Sequence, residues 1–293
     1  MNAGAPFHQL TIVTVALVGL SSSQTALAQS ASAWTEETHA AARLVAGAPL
    51  KSGDAVSLRA GLEIRLDPGW KTYWRYPGDS GLPPTFDFAG SENVKTVAVL
   101  WPAPERFPDG AGGNSIGYIG DVVLPLRITP TNSAKPVSLH LKISYAICGK
   151  LCFPAEADLS ITLPGQRGPE EASLVAAEAR VPRRIPLGAN AATAHNLAIR
   201  TVHREDDETH KRVVVEVAAP EGVLVDLIVE GPTPDWALPL PVPVTPAPGS
   251  APGVRRFTFD LDGLPPGANA DGAMLTFTAV SPGDAIEVGA RLD

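Results

Sequence analysis

At 293 residues, 44% of them hydrophobic, the chain can bury more than one core, and two domains of ordinary size are the natural division. Twenty-nine prolines and 27 glycines with only 18% charged residues exclude a fold of long helices and suit many short strands between turns, so an all-β class is expected. A net charge of −8 without any basic cluster excludes a nucleic-acid or anionic-membrane surface, which would need Lys and Arg to neutralise phosphates.

The chain opens on an apolar run from Leu10 to Leu20, followed by Ser21-Ser22-Ser23-Gln24 and Ala26-Leu27-Ala28. The last three form the small-x-small pattern that signal peptidase cuts, so residues 1–28 are expected to be a signal peptide cleaved after Ala28. The run is shorter than the ~20 residues a spanning helix needs, and no later segment is apolar for long enough. A soluble, exported mature protein without stable membrane insertion is expected, with its thiols in oxidising surroundings.

Val56, Leu58, Leu62, Ile64 and Leu66 fall on alternate positions, the period of a strand with one buried face. Val122, Leu124, Leu126 and Ile128 repeat it, as does the series from Val137 through Leu139, Leu141, Ile143 and Tyr145 to Ile147. Between them, Tyr76 to Pro84 and Pro108 to Asn114 are rich in Gly and Pro and read as loops. Gly110-Ala111-Gly112-Gly113-Asn114 has neither the Lys-Ser/Thr ending nor the following helix of a phosphate cradle.

After Leu163-Pro164-Gly165, Glu170 to Arg180 reads as a short connecting helix with acids in its first turn. Strand patterns resume at 197–202, 213–217, 223–229, 257–261 and 275–280, enough for a second sandwich of about a hundred residues. Its Pro-rich insert, Pro239 to Pro252, is expected to be an extended loop with polyproline character, and Arg204 to Glu208 a solvated hairpin turn.

The two cysteines, Cys148 and Cys152, stand at the end of the third alternating series. Strand parity puts Ile143, Tyr145 and Ile147 on one face, and His140, Lys142, Ser144 and Cys148 on the other, polar one. Downstream, Phe153, Ala155, Ala157, Leu159 and Ile161 form the apolar set, which leaves Cys152, Glu156 and Asp158 on the polar face. With Gly149-Lys150-Leu151 as the turn, antiparallel pairing sets Cys148 opposite Cys152, Ser144 opposite Glu156 and Lys142 opposite Asp158, and stacks Ile147 with Phe153 on the buried face. Opposed residues lie about 4.5 to 5.5 Å apart at Cα, within disulfide reach.

Three uses of the pair are open. A stabilising disulfide gains little, since closing about five residues is worth only on the order of 2 kcal/mol and the strands already pair. A solvent-facing disulfide in a tight loop is reachable by an attacking thiolate, as redox chemistry requires, and Lys150 between the sulfurs could favour a thiolate. Two thiolates could also hold Cu(I), with a His from another strand. His140 lies eight residues back on the same strand and reads as a solvated histidine.

The stretch Tyr145-Ala146-Ile147-Cys148-Gly149-Lys150-Leu151-Cys152-Phe153-Pro154-Ala155-Glu156 resembles the N-terminal periplasmic domain of the DsbD family of thiol:disulfide interchange proteins. The sequence from Gly69-Trp70-Lys71-Thr72-Tyr73 to Gly81-Leu82-Pro83 is similar to the branch of that family associated with suppression of copper sensitivity. The resemblance implies an immunoglobulin-like sandwich over residues 34–165 and extends more loosely to the second sandwich; the strand and turn pattern makes 166–190 a linker and 191–293 that second sandwich. The resemblance implies that Cys148 and Cys152 are the catalytic redox couple, with Phe107 or Tyr118 as candidates for an aromatic lid; Lys150, between the sulfurs, and Glu156, on their face, are candidate modulators by position.

It also implies a periplasmic carrier with no cofactor, which takes electrons from a separate membrane-embedded thiol reductase and passes them to thioredoxin-like or disulfide isomerase-like proteins. A copper-tolerance protein using the same cysteines, and a non-catalytic sandwich with a structural disulfide, are the alternatives.

Overall fold

The computed structural model describes residue 1 and residues 29–52, 55–166, 168–189, 196–206, 211–245, 249 and 251–293. The signal peptide expected over residues 1–28 lies outside the described residues apart from Met1, as do Asp207 and Glu208 of the acidic run. Among the described residues no helix is long and apolar enough to cross a membrane.

The first sandwich runs through β1 (Thr35–Glu37), β2 (Ala40–Ser52), β3 (Ala55–Leu66), β4 (Lys71–Gly78), β5 (Thr85–Asp87) and β6 (Val94–Val99). It continues with β7 (Glu105–Pro108), β8 (Asn114–Ile119), β9 (Val122–Pro130), β10 (Val137–Cys148) and β11 (Cys152–Leu163). One sheet has the order β1-β2-β3-β9-β6, the other β11-β10-β4-β8-β7, with β5 also on β10. The alternating series face each other across the gap: Leu58, Leu62 and Ile64 of β3 and Leu124, Leu126 and Ile128 of β9 share a core with Leu139, Leu141 and Ile143 of β10. Each such side chain contributes about 1.5–3 kcal/mol on burial, which pins the register because a slip of one residue would turn all of them outward.

The segment expected as a connector contains α1 (Glu170–Ala179), and this helix is docked on the outer face of the first sheet. Leu174 is fully buried, and Gly47 makes room for it, since a Cβ there would stand 2.5 Å from Leu174 Cδ2. Arg59 of β3, only 4% exposed, reaches the helix: its Nε donates to Glu178 Oε1 at 2.9 Å and its Nη1 to Glu171 Oε1 at 2.6 Å. A guanidinium at this place fixes the helix by directed, charge-assisted bonds as well as by apolar contact.

After α1 come β12 (Arg183–Arg184), β13 (Ala198–Asp206), β14 (Lys211–Ala218), β15 (Asp226–Glu230), β16 (Val242–Val244), β17 (Val254–Asp260), β18 (Met274–Ser281) and β19 (Asp284–Arg291). They form two four-stranded sheets, β12-β19-β18-β15 and β13-β14-β17-β16, around a second core that includes Val213, Val215, Phe257, Phe277, Ile286 and Val288. The architecture is thus two β-sandwiches of immunoglobulin-like kind. Part of the Pro-rich insert departs from the expected loop: Val242–Val244 is an edge strand on β17, where Pro243 is tolerated because an edge leaves ladder positions unused.

The sandwiches touch. Arg75 of β4 holds Glu230 through two bonds, Nε to Oε1 at 2.8 Å and Nη2 to Oε2 at 2.7 Å, and also donates to Glu287 Oε2 at 2.6 Å. Arg106 of β7 grips Asp226 in the same two-pronged way, at 3.0 and 2.7 Å. The Tyr76 hydroxyl donates to the Leu238 carbonyl, and Ile228 and Leu240 complete the core of the first sandwich.

Candidate functional site

The β10–β11 hairpin has the register that strand parity predicts, with Cys148 opposite Cys152, Ser144 opposite Glu156 and Lys142 opposite Asp158. The two cysteines form a disulfide with their Cα atoms 4.1 Å apart. They differ in surroundings. Cys152 is exposed at the start of an edge strand, whereas Cys148 is only 7% exposed, although parity alone puts it on a wet face.

The cover over Cys148 comes from β4, the neighbour of β10. Lys71 pairs with Cys148 and Thr72 with Ile147, so Lys71 and Tyr73 project on the same side of the sheet as the sulfurs. The Tyr73 hydroxyl lies 3.0 Å from Cys148 Sγ and 3.7 Å from Cys152 Sγ, and Tyr73, Ala146 and Cys148 form a small buried cluster. Burial, then the negative charge of Asp109, raises the Tyr73 phenol above its ordinary value, with the Ser115 hydroxyl opposing. The phenol therefore keeps its proton at neutral pH and can donate it in a hydrogen bond to sulfur.

Tyr73 is itself held from above by the loop after β4. Gly81 has φ +129°, and a Cβ there would stand 2.2 Å from Tyr73 Cε1, so a bare Cα must lie against the ring. The loop is tied to the β7–β8 hairpin. Ser80 Oγ donates to Asp109 Oδ2 at 3.0 Å, the Asn114 amide to Asp79 Oδ2 at 2.8 Å, and Ser115 Oγ to the Ser80 carbonyl at 3.0 Å. Asp109, which also accepts from the Ala111 and Gly113 amides, is held below the usual carboxylate range, chiefly by the Ala111 bond.

The two lid candidates end up apart. Tyr118 is in the core of the sandwich, with its hydroxyl donating to the Pro102 carbonyl at 2.9 Å, and burial pushes its phenol well up. It faces inward because it pairs with Thr72, whose neighbour Ile147 belongs to the core face, so it does not cover the sulfurs. Phe107 pairs with Ser115 on the outer face, buried, and carries the Lys71 ammonium 4.5 Å from its ring centre. The amine on the strand beside Cys148 is thus Lys71. Lys150 stands exposed at the hairpin tip, and Glu156 accepts a 3.3 Å bond from Ser144.

At the tip the apolar face also departs from expectation. Ile147 is buried, but its partner Phe153, on the edge strand β11, is 38% exposed. Phe153 lies 5.9 Å from the Trp70 ring, which packs on Gly149 and stacks on His39 at 4.0 Å. With Leu151 exposed as well, the rim of the disulfide is apolar. His140 is engaged: its Nδ1 meets the Ala89 carbonyl at 2.6 Å and its Nε2 meets Asp158 Oδ1 at 2.6 Å. Among the described residues no group of three or more His, Cys, Asp or Glu is placed to hold a metal ion.

Tyr73, Gly81 and Lys71 were not singled out from the sequence. All three fall within the Gly69–Pro83 stretch that carried the family resemblance, and that conspicuous stretch was the available signal. What the sequence lacked was the adjacency of β4 and β10, whose paired residues Thr72 and Ile147 are 75 positions apart.

Comparison with known proteins bears on this site. Residues 42–164 match the family described as Thiol:disulfide interchange protein DsbD, N-terminal. Among solved structures, the N-terminal periplasmic domain of ScsB from Proteus mirabilis superposes with a TM-score of 0.67 at 22% identity, covering 90% of this chain and 98% of that one. The likeness therefore extends through both sandwiches. No curated protein sequence matches the chain.

Proposed function

We infer, from the match of residues 42–164 to the DsbD N-terminal family, that the protein relays electrons by thiol–disulfide exchange through Cys148 and Cys152. The observation that carries this reading is the asymmetry of the disulfide: an exposed Cys152 Sγ beside a buried Cys148 Sγ that faces a phenol hydroxyl at 3.0 Å.

An incoming partner thiolate attacks Cys152. A new sulfur–sulfur bond forms between partner and Cys152, the Cys148–Cys152 bond breaks, and its electron pair leaves on Cys148 as a thiolate. Tyr73 donates a hydrogen bond to that thiolate, and a better-stabilised thiolate is a better leaving group. The partner's second thiolate then attacks its own sulfur in the mixed disulfide. This releases Cys152, so the partner leaves oxidised and the pair here holds two thiols. The same steps in reverse reduce a downstream protein.

The supply of electrons is a membrane-embedded thiol reductase, the recipients are thioredoxin-like or disulfide isomerase-like proteins, and the compartment is the periplasm. The exposed Leu151 and Phe153 beside Cys152 support docking of such partners, since an apolar rim gives a partner surface to bury around the reacting sulfurs. Copper binding has no specific support from the geometry, because among the described residues no His, Asp or Glu joins the pair in a group placed to hold a metal ion.

Equilibration of the purified protein against glutathione and dithiothreitol buffers, with thiols counted after acid quench, tests the reading. A reduction potential above about −300 mV is expected; a much lower one would mark an inert structural bond and overturn the carrier function.

A further inference from the structure

The strand that carries Tyr73 also carries the main contacts to the second sandwich. Tyr73 faces the disulfide, Trp74 is buried in the first core with the Arg75 guanidinium 4.1 Å from its ring, and Arg75 and Tyr76 bind the second sandwich. Pro77 follows, and then the loop whose Gly81 lies on the Tyr73 ring.

Ladder hydrogen bonds do not account for the position of this segment. The β4–β10 pairing is confined to Lys71 and Thr72, and the β4–β8 register breaks between Tyr73 and Gly78. The stretch between is held by Trp74 in the first core and, at Arg75 and Tyr76, by the second sandwich. Glu230 takes both prongs of the Arg75 fork, and Glu287, whose side chain is 9% exposed, takes a third bond from Arg75 and one from Arg184 at 2.7 Å. Two-pronged guanidinium–carboxylate bonds fix direction as well as distance, which a point charge would not.

We propose that the second sandwich is a working part of the disulfide site: by gripping Arg75 and Tyr76 it anchors the base of the loop that keeps Tyr73 against Cys148. Arg75 is then a positioning residue for exchange at Cys152, with Glu230 and Glu287 as its supports. This rests on the electron-relay reading above and adds to it a reason for the second sandwich. Its consequence is regioselectivity. While the loop base is held, Cys148 stays covered and thiols meet Cys152; once released, Tyr73 drifts and Cys148 opens to attack.

The test uses the whole oxidised chain and glutathione as the probe thiol, with acid quench and mass-spectrometric assignment of the glutathionylated cysteine. The wild type is expected to carry glutathione predominantly on Cys152. Arg75→Gln and Glu287→Gln are expected to lower the Cys152-to-Cys148 ratio by about tenfold, the scale of one lost hydrogen bond to a charged group, with Arg75→Lys between them and the wild type. Arg106→Gln, which cuts the other bridge between the sandwiches but leaves β4 alone, is expected to keep the wild-type ratio.

An unchanged ratio in both Glu287→Gln and Arg75→Gln, with circular dichroism intact, overturns the proposal. So does an equal fall in Arg106→Gln, which would make the effect one of general loosening. A wild type that forms no mixed disulfide at either cysteine sinks the relay reading itself. Because Glu287→Gln is isosteric, it carries the test if Arg75→Gln does not fold.

Discussion

The hydroxyl of Tyr73 lies 3.0 Å from the sulfur of Cys148, and this contact makes the two halves of one disulfide chemically different. The donor is a phenol that burial keeps protonated, so it offers more to a thiolate than to a neutral disulfide sulfur.

Tyr73→Phe removes that donor and leaves the ring. A hydrogen bond to a charged group is worth about 1.5–3 kcal/mol, so the Cys148 thiol in the reduced protein should titrate at least about one unit higher than in the wild type. Thiolate absorbance against pH measures it; coincident curves would remove Tyr73 from the chemistry.

Gly81→Ala places a methyl group 2.2 Å from Tyr73 Cε1 at a backbone φ of +129°. Both the overlap and the backbone conformation disfavour it, and a loss of about 1–3 kcal/mol in urea unfolding is expected. In the reduced variant Cys148 should also react faster with iodoacetamide, since the ring that covers it must move.

In the reduced wild type, Cys152 should be alkylated well before Cys148, because only Cys152 is exposed. Against an oxidised partner, Cys148→Ser should accumulate a mixed disulfide through Cys152, since it has no second thiol of its own to complete the reduction, whereas Cys152→Ser should trap partners poorly. Equal trapping by the two variants would contradict attack at Cys152.

Both ring nitrogens of His140 face acceptors, the Ala89 carbonyl and Asp158, so both must donate and the imidazolium is favoured. Its pKa is raised, first by the Ala89 bond and then by Asp158. A raised folded value means that the contribution to stability is present below the ordinary value of about 6.5 and is lost as pH rises through the folded pKa. An NMR titration should place the His140 midpoint above about 6.5, and His140→Asn should flatten the pH dependence of stability in that window.

Arg59→Met leaves Glu171 and Glu178 without the guanidinium that joins the helix to the sheet. Removing one partner of a largely buried ion pair costs about 3 kcal/mol. Chemical unfolding should show that loss, with early hydrogen exchange in residues 170–179; an unchanged midpoint would mean that Leu174 alone docks the helix.

The alternating strands β3, β9, β10 and β11 and the hairpin were legible in the sequence because both depend on local pattern, whereas β4, with its Gly- and Pro-rich end, was not. A period of two puts Leu139, Leu141 and Ile143 on one face, and a three-residue turn then leaves one register that pairs them with Ile161, Leu159 and Ala157 and sets Cys148 against Cys152. That same local pattern misjudged the ends of the hairpin. Parity says which side of a sheet a residue faces, not what covers that side, so Cys148 reads as wet and Phe153 as buried when the reverse holds.

Cover is supplied by residues distant in sequence. Tyr73 reaches Cys148 because β4 lies beside β10, Tyr118 turns inward because of its place opposite Thr72, and α1 becomes part of the first sandwich through Arg59. The Arg75 grip on Glu230 and Glu287 joins residues more than 150 positions apart. Sequence by itself determined the strongly alternating strands such as β3, β9, β10 and β11, the cysteine pair and its register, since these follow from the alternation of side chains along a strand. Only the tertiary structure decided which sulfur is shielded, by which side chain, and what holds that side chain, since strand order and sandwich contact bring together groups that no local period relates.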